Sequence, residues 1–506
     1  MSESPLPKEQ DIDLNLLRTL PLSYLKGNLF LPIGIYNGRL RGYVCNPQGL
    51  FALRELSSIN NVIPDPIHST PEQITDIINR IYSQIGSAQD VMDRLEEDEL
   101  SSVATEFESP KDLLELTEEA PIIRLLNALI QQAIKEKASD IHIEPYEKDI
   151  EVRFRVDGLL RQVIRPPRII RDALISRVKI MAGLDIAEKR LPQDGRIRLI
   201  AGGRDIDIRV SIVPTTHGER AVLRILDRQQ GLKGLWELGL RDTEEKAIEE
   251  IIKRPNGILL VTGPTGSGKT TTLYAALNRV EKAERNIITA EDPVEYQLSG
   301  VGQIQVNPKI GLTFASALRS ILRQDPDVIM VGEIRDLETA EIAIQAALTG
   351  HLVLSTLHTN DSASAITRLL EMEIEPFLIA SSLTAVLAQR LVRTICLGCK
   401  EAYTPSTEET SYFAGNDAPR QLYRGRGCPL CSNTGYIGRT GIFELLLVDN
   451  EVRRLITSRG DAHRIKEYAI SKGMQPLFKD GLLKVSQGIT TLEEVLRVSL
   501  RDYVEA

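Results

Sequence analysis

The sequence predicts an α/β protein whose largest domain is a parallel sheet covered by helices on both faces. Residues 230–395 alternate short apolar runs with helical patterns, which is typical of successive strand–helix–strand units. Within this region the apolar run 258–261 leads directly into Gly-Pro-Thr-Gly-Ser-Gly-Lys-Thr at 263–270, and residues 273–277 continue as a helix. A strand, a glycine-rich turn and a helix in this order predict a phosphate-binding loop, or P-loop.

Each residue type in this loop suits a nucleotide. Gly263, Gly266 and Gly268 permit the bend and leave room for a β-phosphate. Lys269 is placed to reach the β- and γ-oxygens, and the Thr270 hydroxyl is a ligand for Mg²⁺. A plain glycine turn is the alternative, which the flanking strand and helix disfavour. We therefore expect ATP and Mg²⁺ here, with nucleotide contacts from Gly263, Pro264, Thr265, Gly266, Ser267, Gly268, Lys269, Thr270 and Thr271.

The 506 residues exceed what one hydrophobic core usually holds, so several domains are expected. A helical pattern follows Thr70-Pro71-Glu72, and charged and apolar residues alternate at 205–213, as in a half-buried strand. The predicted segments are a small α/β domain at 1–85, an acidic linker at 86–119, a second α/β domain at 120–228, the nucleotide-binding core at 229–394, a cysteine module at 395–440 and a helical region at 441–506.

The formal net charge is −9, and residues 90–119 alone carry −10, with twelve acids against Arg94 and Lys111. An acidic docking motif is the alternative to a linker there. The remainder is nearly neutral and poor in aromatic residues, which argues against a nucleic-acid partner. The N-terminus lacks the regions of a signal peptide and no run of 18 apolar residues occurs, so we expect a cytoplasmic protein with at most peripheral membrane attachment.

Three segments beyond the P-loop end in residues suited to ATP hydrolysis. The run 287–290 precedes Glu291, Asp292 and Glu295, and the run 328–331 precedes Gly332 and Glu333. Because the carboxyl ends of neighbouring parallel strands converge, these acids are expected at one site. Glu333 or Glu295 then polarises the attacking water, and Asp292 joins Thr270 in holding Mg²⁺.

The third segment, 350–358, is bracketed by His351 and His358. His358 is a candidate sensor of the γ-phosphate, while a packed or capping role is an equal alternative for each histidine.

Two C-x₂-C pairs, Cys396 with Cys399 and Cys428 with Cys431, predict a structural zinc site of four thiolates. Disulfides are disfavoured in the cytoplasm, and Cys45 is expected to be a packed small hydrophobe. Residues 388–440 hold seven basic side chains against four acidic ones. Contact with an anionic membrane surface or an acidic partner is one interpretation, and a solvated face is the other.

Taken together, the motifs resemble the secretion and pilus-assembly ATPase superfamily, in its type II secretion branch. The resemblance covers roughly residues 120–500. It is carried by the P-loop and by the segments 138–145, 153–158, 190–196, 291–295, 331–336 and 350–361.

This resemblance implies a RecA-like core preceded by a PAS-like domain at 120–228, assembled as a homo-hexamer. Arg209 and Arg224 match positions where the family places phosphate-contacting arginines, and pairing of Arg209 with Asp205 or Asp207 is the alternative. Arg319 and Arg323 are further candidates, expected four residues apart on one helix face.

The resemblance also implies a motor that hydrolyses ATP to drive pseudopilus assembly and the export of folded proteins, attached to the cytoplasmic face of the bacterial inner membrane. Its partners are then inner-membrane platform proteins, including a single-pass protein whose cytoplasmic domain binds residues 1–85. Assembly of a type IV pilus is the nearest alternative, disfavoured because no Arg-Leu-Gly repeat is found. Two further alternatives are a motor that acts on nucleic acid and a scaffold that binds nucleotide without hydrolysing it.

Overall fold

The structure is a computed structural model that describes residues 12–13, 16–17, 20, 22–82, 88, 121–201, 204–227, 233–413 and 419–504. The chain forms two compact units, residues 1–230 and 231–506. The predicted acidic linker lies outside the described residues, apart from residue 88. The α/β fold class expected from the sequence is confirmed.

The first unit begins with a small sheet and its helices. The elements are α1 (Leu22–Asn28), β1 (Phe30–Tyr36), β2 (Arg39–Val44), α2 (Pro47–Ile59), β3 (Ile63–His68) and α3 (Pro71–Tyr82). The central strand β2 is antiparallel to β1 and parallel to β3, and α2 is the crossover that a parallel pair requires. Asn46 caps α2 by accepting a hydrogen bond from the Gly49 amide at 2.7 Å. Cys45 packs half-buried against this core, as expected.

A larger antiparallel sheet follows in the same unit. Its elements are α4 (Pro121–Lys135), β4 (Asp140–Pro145), β5 (Ile150–Val156), β6 (Leu159–Ile164), α5 (Arg171–Ala182), β7 (Gln193–Ala201), β8 (Arg204–Thr215) and β9 (Gly218–Asp227). The strand order is β6-β5-β4-β9-β8-β7. Alternate residues such as Ile141, Phe154 and Ile208 are fully buried on the face that α4 and α5 cover. The period of two sends the intervening polar residues to the opposite face.

The second unit contains the parallel sheet predicted from the sequence. Its elements are α6 (Asp242–Ile252), β10 (Gly257–Thr262), α7 (Lys269–Leu277), β11 (Ile287–Glu291), β12 (Gly302–Gln305), α8 (Phe314–Ile321), β13 (Val328–Val331), α9 (Leu337–Leu348), β14 (Leu352–Leu357), α10 (Ser362–Glu371), α11 (Pro376–Ser382), β15 (Leu383–Ile395) and β18 (Tyr436–Leu447). The order is β12-β11-β13-β14-β10-β15-β18, and β18 pairs antiparallel with β15.

Strands β10, β13 and β14 are buried at every position, as expected for parallel strands covered on both faces. Each fully buried Leu, Ile or Val there stabilises the fold by roughly 1.5–3 kcal/mol. The neighbouring strands therefore hold their carboxyl ends at one fixed edge, where the candidate site lies.

Two smaller parts complete the unit. Strands β16 (Lys400–Tyr403) and β17 (Leu422–Gly425) form a hairpin beside the cysteines, with α12 (Thr407–Ser411) between them. Residues 441–447 of the predicted helical region belong to strand β18, and the helices follow it: α13 (Asn450–Thr457), α14 (Ala462–Ser471), α15 (Leu477–Ser486) and α16 (Leu492–Val504). Asp449 caps α13 by accepting from the Val452 amide at 2.9 Å. Within the described residues, no helix is long and apolar enough to cross a membrane.

A buried carboxylate fixes α16 on the sheet. Glu494 accepts hydrogen bonds from the Arg393 amide at 3.0 Å and its guanidinium at 2.7 Å, and from Arg497 at 2.9 and 2.8 Å. Burial alone raises the pKa of Glu494, but the bonds from Arg497 and Arg393 lower it to about 2.

We predict that Glu494→Gln destabilises α16 by about 3 kcal/mol, because the isosteric amide leaves Arg393 without its buried counter-charge. Hydrogen exchange of amides 492–498 then accelerates roughly a hundredfold at pH 7. Glu493→Gln, at the exposed neighbouring residue, is the control. Since the folded pKa lies below the ordinary 4.5, this stabilisation is present above pH 4.5 and is lost as the pH falls toward 2. The difference in exchange rate between the Glu494→Gln and Glu493→Gln variants must become smaller as the pH falls. Equal exchange rates at pH 7 would contradict a stabilising role for the Glu494 carboxylate.

Candidate functional site

The P-loop joins β10 to α7 and is shaped by its contact with β15. Gly263 has φ 152° and Gly268 has φ 87°. A Cβ on Gly263 would lie 2.5 Å from the Gln389 carbonyl oxygen, and one on Gly268 would lie 2.9 Å from the Gln389 side-chain amide. At Gly266, φ 79°, a Cβ would meet nothing within 4 Å. Two glycines are therefore required by β15, and the third faces the open space that a phosphate needs.

Lys269 is buried at the start of α7, and its ammonium donates to the carbonyls of Gly263 at 2.8 Å and Pro264 at 3.2 Å. Burial lowers the pKa of Lys269 to about 8, Glu333 opposes this effect, and the positive charge of Arg390 adds to it. The Thr270 hydroxyl, one residue further along α7, and the exposed Asp292 are oxygen donors of the kind that Mg²⁺ prefers. The residues present thus fit a magnesium nucleotide.

Glu333 lies two residues beyond the end of β13. Gly332 before it is held by hydrogen bonds from its amide to Ala290 at 2.8 Å and to its carbonyl from Thr356 at 2.8 Å. The Glu333 carboxylate is 3.1 Å from His358 Nε2 and forms an ion pair with Arg335. It is largely buried, with 15% of the side chain exposed.

The acidic box after β11 differs from the expectation in one respect. Glu291 belongs to the strand and is buried, so only Asp292 and Glu295 follow its end. The carboxylate of Glu291 accepts hydrogen bonds from Tyr274, Thr289 and Gln303, the last at 3.0 Å. These bonds anchor the segment that presents Asp292 and Glu295, and the amide of Glu295 in turn donates to the Tyr274 hydroxyl at 3.3 Å.

The two histidines have different surroundings. His351 Nδ1 lies 2.9 Å from the carbonyl of Ala346 near the end of α9, which is a capping position. His358 follows β14 and faces Glu333, with 46% of its side chain exposed. Of the two, His358 is therefore the one at the carboxyl edge of the sheet.

The candidate arginines of the first unit lie on the polar face of its six-stranded sheet. Strand register places Arg155, Asp140, Arg224, Arg209 and Arg196 side by side on neighbouring strands. Arg224 donates to Asp140 at 2.8 Å, and 61% of its side chain is exposed. Of the three adjacent arginines, Arg224 and Arg196 are therefore already paired with Asp140 and Asp207.

Of the two alternative partners expected for Arg209, Asp205 and Asp207, the second also pairs with Arg196 on the next strand. Among the further candidates, Arg319 pairs with Glu338. The helix that carries Arg319 ends at Ile321, so Arg323 is not on the same helix face as expected; it folds back and donates to the Arg319 carbonyl at 3.0 Å.

The four cysteines of the two C-x₂-C pairs converge. Their sulfur atoms all lie within 4.8 Å of one another, with 3.8 Å between Cys396 and Cys428, 3.8 Å between Cys399 and Cys431, and 3.7 Å between Cys428 and Cys431. A tetrahedral zinc with bonds of about 2.3 Å places its sulfurs about 3.8 Å apart. The Cys431 sulfur also accepts from the Cys428 and Gly435 amides at 3.2 Å. The cluster therefore fits zinc and is far too wide for disulfides.

The second unit thus brings Lys269, Glu333 and His358 together, while Arg209 and Arg224 belong to the first unit. Sequence reasoning missed Gln389, Arg390, Arg335 and Tyr274. A signal existed for the first two, because they are adjacent polar residues inside the otherwise apolar run 385–392.

Comparison with known proteins agrees with the resemblance drawn from the motifs. The sequence profile of the type II/IV secretion system protein family matches residues 115–497, and the MshEN domain profile matches residues 5–88. The chain is 50% identical over 490 residues to the type II secretion system ATPase E of Vibrio cholerae, covering 96% of this chain and 97% of that protein. It is 48% identical over 499 residues to the type II secretion system protein E of Dickeya dadantii, covering 97% and 99%.

Among solved structures, the ATPase DotB of Legionella pneumophila has the same fold, with a TM-score of 0.56 at 23% identity over 78% of this chain and 98% of that chain. The family match spans most of the chain, and the P-loop, Glu333 and His358 lie within it. The chain therefore belongs to the type II/IV secretion system protein family, in its type II secretion ATPase branch.

Proposed function

We propose that this chain is the ATPase motor of a type II secretion system, which hydrolyses ATP to drive pseudopilus assembly and the export of folded proteins. The convergence of Lys269, Glu333 and His358 at the carboxyl edge of the parallel sheet is the observation that supports hydrolysis. The names of the Vibrio cholerae and Dickeya dadantii relatives favour secretion over assembly of a type IV pilus.

Each residue has a role that its position supports. The Lys269 ammonium exchanges its carbonyl partners for phosphate oxygens, and Glu333 polarises the attacking water, with Glu295 as the alternative. His358 and Arg335 orient the Glu333 carboxylate through their contacts with it. Thr270 and Asp292 hold Mg²⁺, which when bound neutralises phosphate charge.

The arginine face of the first unit supports assembly into a hexamer. The exposed Arg224 and the half-buried Arg209 lie side by side and offer guanidinium groups suited to the phosphates of a nucleotide on the same or a neighbouring subunit. The N-terminal domain then binds the cytoplasmic part of a single-pass platform protein, which holds the motor at the inner membrane. The cysteine cluster binds a structural zinc that stabilises a module with a small core of its own.

Glu333→Gln is the direct test of hydrolysis. The variant should lose ATPase activity by about a hundredfold or more, because the amide cannot accept a proton from water. ATP affinity, measured by titration calorimetry with Mg²⁺, should stay within about threefold, since Lys269 and the loop are intact. Unchanged turnover would remove Glu333 from the mechanism, and an unmutated chain that binds ATP without hydrolysing it would favour a scaffold.

The Glu333→Gln variant also tests whether Arg224 acts on the nucleotide of its own subunit or of a neighbouring one. Glu333→Gln and Arg224→Gln chains are each expected to be inactive alone. If Arg224 acts on a neighbour's nucleotide, an equal mixture recovers activity, up to about a quarter of the unmutated rate, from interfaces that combine the two intact residues. No recovery in mixtures that co-assemble would place Arg224 within its own subunit.

The pKa of Lys269 makes nucleotide binding sensitive to alkali. ATP affinity is predicted to fall as the pH rises through about 8, because the phosphates require the protonated ammonium. Binding at a series of pH values checks this, with Lys269→Ala as the control. That variant should bind weakly at every pH, and an identical alkaline decrease in it would assign the effect to another group.

Zinc content tests the cysteine cluster. The purified chain should carry one zinc per molecule, and Cys428→Ser should lose it and increase hydrogen exchange in residues 396–435. Cys45→Ser, in the N-terminal domain, is the matched control and should retain the metal. Full zinc occupancy in Cys428→Ser would contradict a four-thiolate site.

A further inference from the structure

The segment that carries His358 is held at each of its next four residues by a different element. Thr359 and Thr262, at the end of β10, have their hydroxyls 2.7 Å apart. The remaining three contacts join Asn360 to Arg390 of β15, Asp361 to Lys466 of α14, and Ser362 to Glu444 of β18. The position of His358 against Glu333 is therefore set by the backbone that follows it.

The contact from β15 also reaches the P-loop. Arg390 is buried, with 8% of its surface exposed, and its guanidinium donates to the Asn360 carbonyl at 2.9 Å and to the Asn360 side-chain oxygen at 3.2 Å. Its neighbour Gln389 accepts a hydrogen bond from Thr272 of α7 at 2.7 Å. Strand register aligns Ala388 with Thr262, so Gln389 and Arg390 lie level with the start of the loop.

We propose that Arg390 is a positioning residue of the hydrolysis site. Its hydrogen bonds to Asn360 hold His358 against Glu333, and they connect the segment 358–362 to β15, the strand that packs on the P-loop. The inference rests on the proposed ATPase function. A guanidinium suits this task because one rigid group holds both a backbone and a side-chain oxygen of Asn360.

Two substitutions at Arg390 distinguish the effect of its paired hydrogen bonds to Asn360 from the effect of its positive charge. Arg390→Lys keeps a positive charge but replaces the planar fork with a single point donor. Arg390→Gln removes the charge as well. Asn360 is exposed, so Asn360→Ala removes one acceptor with little risk to folding and leaves the carbonyl contact in place.

Both Arg390 variants should lower kcat by about tenfold or more, since a misplacement of about 1 Å in a catalytic group costs up to about a hundredfold. KM for ATP should stay within about twofold, because the loop and Lys269 are unchanged. The effect of Asn360→Ala should be smaller and should not add to that of Arg390→Lys, as expected for two residues that act through one contact.

Arg393→Gln is the matched control, three residues along the same strand. It breaks the ion pair with Glu494 and so destabilises the fold without touching the His358 segment. Below its melting temperature this variant should keep the unmutated kcat.

Hydrogen exchange of the nucleotide-free protein tests the contact without relying on ATPase activity. Amides 359–362 should exchange faster in both Arg390 variants and remain protected in Arg393→Gln. Unchanged exchange in this segment, or a kcat for Arg390→Lys within twofold of the unmutated value, would overturn the proposal. If the unmutated chain never hydrolyses ATP but amides 359–362 still exchange faster in the Arg390 variants, the proposed function is refuted. The structural role of the contact between Arg390 and Asn360 is then retained.

Discussion

Strand β15 packs on the phosphate-binding loop at less than the distance that a methyl group would need. Gln389 makes the closest contacts, from its backbone to Gly263 and from its side chain to Gly268. The same side chain accepts a hydrogen bond from the Thr272 hydroxyl and so fixes the first turn of α7. Because contacts with β15 set the bend of the loop, the Lys269 side chain has one orientation at the start of α7. Glu333 and His358 are arranged around it at the same edge of the sheet.

Buried charges occupy the junctions between the elements of the second unit. Glu444 is fully buried, and it accepts hydrogen bonds from the first amides of α10 at 2.9 Å and α15 at 3.4 Å. Two helix N-termini thus compensate one carboxylate, although burial still raises the pKa of Glu444. Asp480 similarly accepts from the Phe443 amide at 2.9 Å and from Lys484 at 2.7 Å. Such groups are costly to misplace, so they specify one packing of the helical region on the sheet.

The parallel sheet, the P-loop and the cysteine cluster were predictable because each has a local pattern of its own. The edge that holds the candidate site was also predictable, because the carboxyl ends of neighbouring strands in a parallel sheet converge. What could not be predicted depends on long-range register. Nothing near Gln389 in sequence indicates that it lies against Gly263, more than a hundred residues away. The structural role of Glu291 could not be predicted either. An acidic residue at the end of a strand is expected to be exposed, and the sequence does not show that Tyr274 lies against it.

The ion pairs on the polar face of the antiparallel sheet affect how firmly the phosphate contacts proposed for Arg224 and Arg209 would hold. Arg224 is already bonded to Asp140, and Arg196 to Asp207. Under the proposed function, a phosphate that binds these arginines exchanges with a carboxylate, and the net electrostatic gain is the small difference between two similar pairs. Such an exchange is readily reversed, as a motor proposed to bind and release nucleotide in repeated cycles requires.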